Sequence, residues 1–251
     1  LTVYAVWTPI DLYIEFYNGD EWLTGSNQSV GSAIVTPDEP TKTGYKFIGW
    51  VDESGVAMPE TVPAAAAGTQ FKYIAQFEPE MYEAVFMNGD EVHDTFRGVY
   101  QSAITAPADP EMEGYTFQYW AKQGTTAKVD FTKAKMPLNG VTYVAIYKIN
   151  TYTVTYFIDD VQVWQDTYEY GEDITPYTPD LPEGTTFSGF GEIPATMPAE
   201  NLEFRGQTGV ASYTVTFTIN GEEYKTLNFG YGAAVTAPAY DIPEGYSFSG
   251  W

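Results

Sequence analysis

Apolar and polar residues alternate along four stretches of this chain. The apolar positions are Leu12, Ile14 and Phe16, then Tyr82, Ala84 and Phe86, then Tyr152, Val154 and Tyr156, then Tyr213, Val215 and Phe217. A period of two places every second side chain on one face, so each stretch predicts a strand with one buried side. The step from Leu12 to Tyr82 equals that from Tyr82 to Tyr152, and the step to Tyr213 is shorter. After each stretch comes a turn: Asn18-Gly19, Asn88-Gly89, Asp159-Asp160 and Asn220-Gly221. Asn-Gly tolerates positive φ at both central positions, which predicts a tight two-residue hairpin. The second strand of each hairpin is polar and variable, as at residues 222–229. It ends near a Tyr-Gly pair such as Tyr170-Gly171 or Tyr231-Gly232.

A proline-rich stretch follows, holding Pro37 and Pro40, Pro107 and Pro110, Pro176, Pro179 and Pro182, and Pro238 and Pro243. Proline has no N–H to give to a sheet, so an extended crossover is expected. It leads into Gly44-Tyr45-Lys46-Phe47-Ile48-Gly49-Trp50, which returns at residues 114–120, 184–190 and 245–251. Trp50, Trp120, Phe190 and Trp251 close the four versions. A variable loop holding Met58-Pro59, Met136-Pro137 and Met197-Pro198 comes next. The closing strand reads Phe71, Tyr73, Ala75, Phe77 in the first copy, Val141, Tyr143, Ala145, Tyr147 in the second, and Leu202, Phe204, Gly206 in the third. Leu1, Val3, Ala5 and Trp7 fit the same register and predict one more such strand. The path from Trp50 to Phe71 is as long as that from Trp120 to Val141, whereas that from Phe190 to Leu202 is shorter. The shorter period therefore comes from one loop, the kind of segment that tolerates a length change.

This recurrence is the signature of a small fold copied in tandem. Residues 1–10 are expected to finish a preceding copy. Residues 11–80, 81–150 and 151–210 form three copies, and residues 211–251 begin a fourth. Both ends read as cut from a longer polypeptide, with strand donation between molecules at the incomplete copy as the competing view. The fold class is mainly β, α+β at most.

Composition narrows the function. With 34 acidic and 11 basic residues the formal charge is −23, against nucleic acid and against anionic membranes as partners. No apolar run is long enough to cross a bilayer, so direct membrane insertion is not expected. The absence of cysteine rules out disulfides and thiolate chemistry. The single histidine, His93, falls on a second strand and has no equivalent in the other copies. It reads as an exposed strand residue and not as a general base. Asp20-Glu21 and Asp90-Glu91 sit at hairpin tips without the spacing of a calcium loop. Asn27-Gln28-Ser29 has the pattern of a glycosylation acceptor. Lys46 and Lys72 lack lysine counterparts in the other copies, against a shared intramolecular Lys–Asn crosslink. No catalytic, cofactor-binding or metal-binding residue is assigned.

The opening Tyr213-x-Val215-x-Phe217 strand, Asn220-Gly221, Tyr231-Gly232, the proline-rich crossover, the strand from Glu244 to Trp251 and the Tyr73-x-Ala75-x-Phe77 closing strand together resemble the internalin B-repeat family, also called the Listeria–Bacteroides repeat. The resemblance covers almost the whole chain. It implies tandem β-grasp-like (ubiquitin-like) modules, arranged as beads on a string, whose first and last strands lie parallel at the sheet centre. It implies no catalytic residue. It also implies a bacterial cell-surface or secreted protein, in which the repeats form a stalk or spacer. The competing expectation is a multivalent array in which each copy binds a glycan or a protein, or in which neighbouring copies pair strands. Departures from the pattern are Asp159-Asp160, Thr185 and Phe190 in the third copy, and Tyr119 in place of the second glycine in the second.

Overall fold

The computed structural model describes residues 1–251, which form fifteen strands and no helix. The chain divides into two compact units, residues 1–110 with 118–146, and residues 111–117 with 147–251.

In the first unit, β1 (Asp11–Asn18) lies between β2 (Glu21–Ser29) and β4 (Gln70–Pro79), and β3 (Tyr45–Val51) lies on the outer side of β4, giving the order β2-β1-β4-β3. β1 runs antiparallel to β2 and parallel to β4, with Ile14 opposite Phe71 and Phe16 opposite Tyr73. A parallel neighbour cannot be reached by a tight turn, so the chain must cross over between β2 and β3. The prolines of that crossover, Pro37 and Pro40, keep it extended, and no helix forms there.

The same order recurs. β5 (Met81–Asn88), β6 (Glu91–Val99), β7 (Tyr115–Lys122) and β8 (Val141–Ile149) make a sheet of order β6-β5-β8-β7. β9 (Thr151–Ile158) and β10 (Val161–Glu169) pair antiparallel, and β12 (Leu202–Gly206) joins β9 in parallel. Here the outer pair is a separate two-stranded ladder of β11 (Thr185–Phe187) and β13 (Thr208–Val210). Its closing strand is thus broken at Gln207. β14 (Ser212–Ile219) and β15 (Glu222–Gly230) form a hairpin alone.

The inward face of each first strand carries the core. Leu12, Ile14 and Phe16 are buried, as are Ala84 and Phe86, Val154 and Tyr156, and Phe217. One ring pair recurs in every copy. Phe16 meets Trp50 edge-on with centroids 4.8 Å apart, Phe86 meets Trp120 at 5.0 Å, Tyr156 meets Phe190 at 4.9 Å and Phe217 meets Trp251 at 4.9 Å. Edge-to-face geometry adds about 0.5–1.5 kcal/mol beyond the area each pair buries. Phe47 packs on Trp50 and Phe77, Phe117 on Tyr147, and Phe187 on Phe190. The phenylalanine and the closing aromatic of each of these motifs therefore serve a local cluster.

Three sequence expectations need correction. The hairpin turns are centred one residue later than Asn-Gly in the first two copies. Asn18 and Asn88 still belong to the strands, and Gly19 and Gly89 take positive φ as the first turn residue. Asp159 and Asn220 occupy the same place, with positive φ at Asp160 and Gly221 as well. A bulge near the end of each hairpin sets this register.

The variable loop holds Met58-Pro59 between β3 and β4, and the loop is anchored in the first copy by Val62-Pro63. The amide of Gly31 donates to the Val62 carbonyl (2.9 Å), as Gln101 does to Met136 (2.8 Å) and Gly171 to Met197 (2.8 Å). Val62, Met136 and Met197 are all fully buried. Hydrogen bonding and burial select this position, and the side-chain type does not.

The other two corrections are at residues 1–7 and 244–251, which form no strand. Leu1, Val3, Tyr4, Val6 and Trp7 are exposed, and Trp251 is 44% exposed although it packs on Phe217. A strand needs a ladder partner. β3 finds one in β4, and β4 in β1, whereas no other stretch of the chain pairs with residues 1–7 or 244–251.

Candidate functional site

The face each copy shows to solvent is led by its second strand, and its residues change from copy to copy. Thr24, Asp94, Trp164 and Lys225 pair with the buried Phe16, Phe86, Tyr156 and Phe217 and so lie on the same, inward face of the sheet. On the outward face, paired with Tyr17, Met87, Phe157 and Thr218, stand Trp22, Val92, Gln162 and Glu223, all exposed. An aromatic at one copy is a carboxylate at another.

His93 is exposed on β6, as its sequence position predicts. Its ring lies 5.9 Å from that of Trp120, and its Nε2 is 3.0 Å from the Ala108 carbonyl oxygen. Tyr224 does the same work in the last hairpin, stacking on Trp251 at 5.8 Å and donating its hydroxyl to Ala239 at 2.7 Å. The histidine is thus a covering ring tied to the crossover.

Asp20, Glu21, Asp90 and Glu91 are exposed hairpin-tip residues. Across the structure no group of three or more His, Cys, Asp or Glu converges as a metal site would require. Asn27 is exposed on β2. Its neighbour Gln28 is buried and clasps the crossover, donating Nε2–H to the Val35 carbonyl (3.1 Å) and accepting from the Val35 amide (2.8 Å). Sequence reading missed that clasp, because only the chain returning past β2 reveals it. Lys72 ion-pairs with Glu53 at 3.1 Å and lies 4.7 Å above the Tyr17 ring.

Perturbed titrations have local causes. The hydroxyls of Tyr17 and Tyr82 donate to Glu15 and Glu80, and those hydrogen bonds hold both phenol pKa values above the ordinary one. Burial raises Tyr73, Tyr143 and Tyr147. Hydrogen bonds from Thr132 and Lys133 lower the Asp130 carboxyl. Asp159 is lowered mainly by its bonds from Thr208, whose hydroxyl donates to Oδ2 (2.5 Å) and whose amide donates to Oδ1 (2.8 Å). What the geometry offers is sheet edges and variable outward strands.

The fold defines a tandem array of helix-free, β-grasp-like repeats. The Listeria-Bacteroides repeat domain profile matches residues 15–62, 82–146 and 213–251. The chain belongs to this family. The third copy lies outside the matched stretches, yet its second, first and closing strands adjoin in the same order, β10-β9-β12. Two related proteins of Evansella cellulosilytica are named as a Gly-rich membrane protein and a membrane protein. The chain is 28% and 27% identical to them along its whole length, covering 31% and 40% of theirs. It is also 32% identical to Internalin H of Listeria monocytogenes over 56% of this chain and 26% of that one. The chain therefore spans about a quarter to two fifths of the relatives it matches. No helix in it is long and apolar enough to cross a membrane.

Proposed function

We propose that this chain is a non-enzymatic spacer segment of a bacterial cell-surface or secreted protein, built of copies bounded near residues 11–80, 81–150, 151–210 and from 211 on. The observation that carries this reading is the contrast between what the copies share and what they vary. All four share the buried ring pair, and the first three share the parallel pairing of first and closing strands. They differ at the outward position of the second strand, where Trp22, Val92, Gln162 and Glu223 are equivalent. A binding array would repeat its contact residues outward. A spacer repeats only what folds it. Membership of the repeat family and relatives named as membrane proteins and Internalin H support placement outside the cell.

A glycan array and a pull-down with the whole chain test this. The expected result is no saturable binding. Saturable binding that is lost in Trp22→Ala or Trp164→Ala, the two exposed tryptophans of second strands, would replace the spacer by a binding array.

A further inference from the structure

Three motif glycines share an unusual surrounding. Gly44, Gly114 and Gly184 open the glycine-aromatic motif with φ of 77°, 75° and 77°. Each also has a tyrosine side chain standing where its own Cβ would be. A Cβ at Gly44 would come within 2.6 Å of Tyr100, and one at Gly114 or Gly184 would overlap the ring of Tyr170 or Tyr231. Those tyrosines are not from the same copy. They are the tyrosines of the Tyr-Gly position one copy further along. Gly245 has the same positive φ but no such ring, and a Cβ there would meet nothing within 4 Å. Its own copy's Tyr231 lies instead on Gly184.

Between the two partners of each pair the chain makes a one-residue link. Glu80 separates β4 from β5, Asn150 separates β8 from β9, and Ala211 separates β13 from β14. The amide of the link donates backward to the glycine carbonyl: Glu80 to Gly44 (2.9 Å), Asn150 to Gly114 (2.9 Å) and Ala211 to Gly184 (2.7 Å). Its carbonyl accepts forward from the tyrosine amide, Tyr170 to Asn150 (3.0 Å) and Tyr231 to Ala211 (2.8 Å). Val30 makes the forward bond to Ile10 (2.9 Å) without a ring.

We infer that the motif glycine and the tyrosine of the next copy form an inter-copy joint, whose partner surface is a second repeat of this same chain. Glycine is required twice at this position. The left-handed backbone disfavours a side chain, and the ring occupies the space a side chain would need. The ring in turn covers the bond that ties the link backward and keeps water from competing for it. Where both backbone groups of a one-residue link are held, one by each neighbour, the link has no free rotation left. The first joint lies wholly within the first compact unit, and the second and third lie wholly within the second. The inference rests on the copy boundaries proposed above, and its test separates the two.

The test is amide hydrogen exchange on the full chain, comparing the parent protein with Tyr100→Ala and Tyr100→Phe. The joint predicts that Tyr100→Ala speeds exchange of the Glu80 amide by about tenfold or more, as local opening of a released link does. The core amides of β1 and β5 should keep their parental rates. Tyr100→Phe should leave Glu80 as it was, because the ring and not the hydroxyl seals the joint. Tyr231→Ala should do to Ala211 what Tyr100→Ala does to Glu80. An unchanged Glu80 rate overturns the joint. Loss of protection throughout β5–β8, or failure of Tyr100→Ala to fold, also overturns it, since the ring would then belong to the core of its own copy. That second outcome leaves the spacer reading standing.

Discussion

At the level of single residues, one position shows how copies of one fold drift. Phe16, Phe86 and Phe217 hold the centre of their clusters, and the third copy puts Tyr156 there, 1% exposed. The extra hydroxyl is buried without an aligned partner. The Tyr177 backbone N–H lies close enough to favour the ionised form, but burial outweighs it and raises the phenol pKa. A buried hydroxyl that lost its water without a partner costs about 1–3 kcal/mol. Tyr156→Phe should therefore raise the stability of the third copy in chemical denaturation, by about 1 kcal/mol. A loss of stability would mean that the hydroxyl is satisfied. The alternation of polar and apolar residues placed this side chain in the core. Whether its oxygen has a partner depends on residue 177, which alternation says nothing about.

At the level of elements, the first strand of each copy was legible, whereas turn register and the strands expected at residues 1–7 and 244–251 were not. Alternation located β1, β5, β9 and β14 closely, because one buried face forces a period of two. The turn centre moved by one place, since the bulge near Phe16 and Tyr17 depends on both strands of the hairpin. The anchor Val62 was hidden because valine and methionine look unalike in sequence while filling the same buried place. The candidate site fared similarly. His93 was readable as an exposed strand residue. The Gln28 clasp joins residues seven positions apart, and the glycine-tyrosine contacts join residues from different copies, so neither leaves a local pattern.

The broken closing strand of the third copy carries its own prediction. Asp159 spans the break, holding Thr208 by amide and hydroxyl. Its folded pKa lies below the ordinary carboxylate value. Stability from this tie is therefore fully present above that ordinary value and is lost as pH falls through the folded one. Asp159→Asn keeps a residue that tolerates positive φ but removes the charge. The variant should be less stable than the parent at neutral pH, and the gap should close below about pH 4. Thermal melts across pH measure it, and a gap that persists into acid would deny the carboxylate its role.

At the level of the whole molecule, small size is the governing constraint. A copy as short as residues 81–150 buries little surface in total. Recurring aromatic pairs answer that limit locally. Leu12, Ile14, Phe16, Trp50, Val62, Tyr73 and Ala75 make one cluster, and Val154, Tyr156, Tyr168, Ile174 and Met197 make another. Repeated local cores suit a chain whose length can change by whole copies. They also suit outward strands that vary without penalty to the fold.

The most direct test of local closure is hydrogen exchange on Trp120→Ala in the full chain. Removing a buried tryptophan costs about 3–5 kcal/mol. At about 1.4 kcal/mol per decade, amides of β5–β8 should exchange at least about a hundredfold faster. Local closure predicts that amides of β1 and β4 keep their protection while those of β5–β8 lose it. Equal loss of protection in β1–β4 and β5–β8 would contradict it, because one common interior would then be holding both sheets.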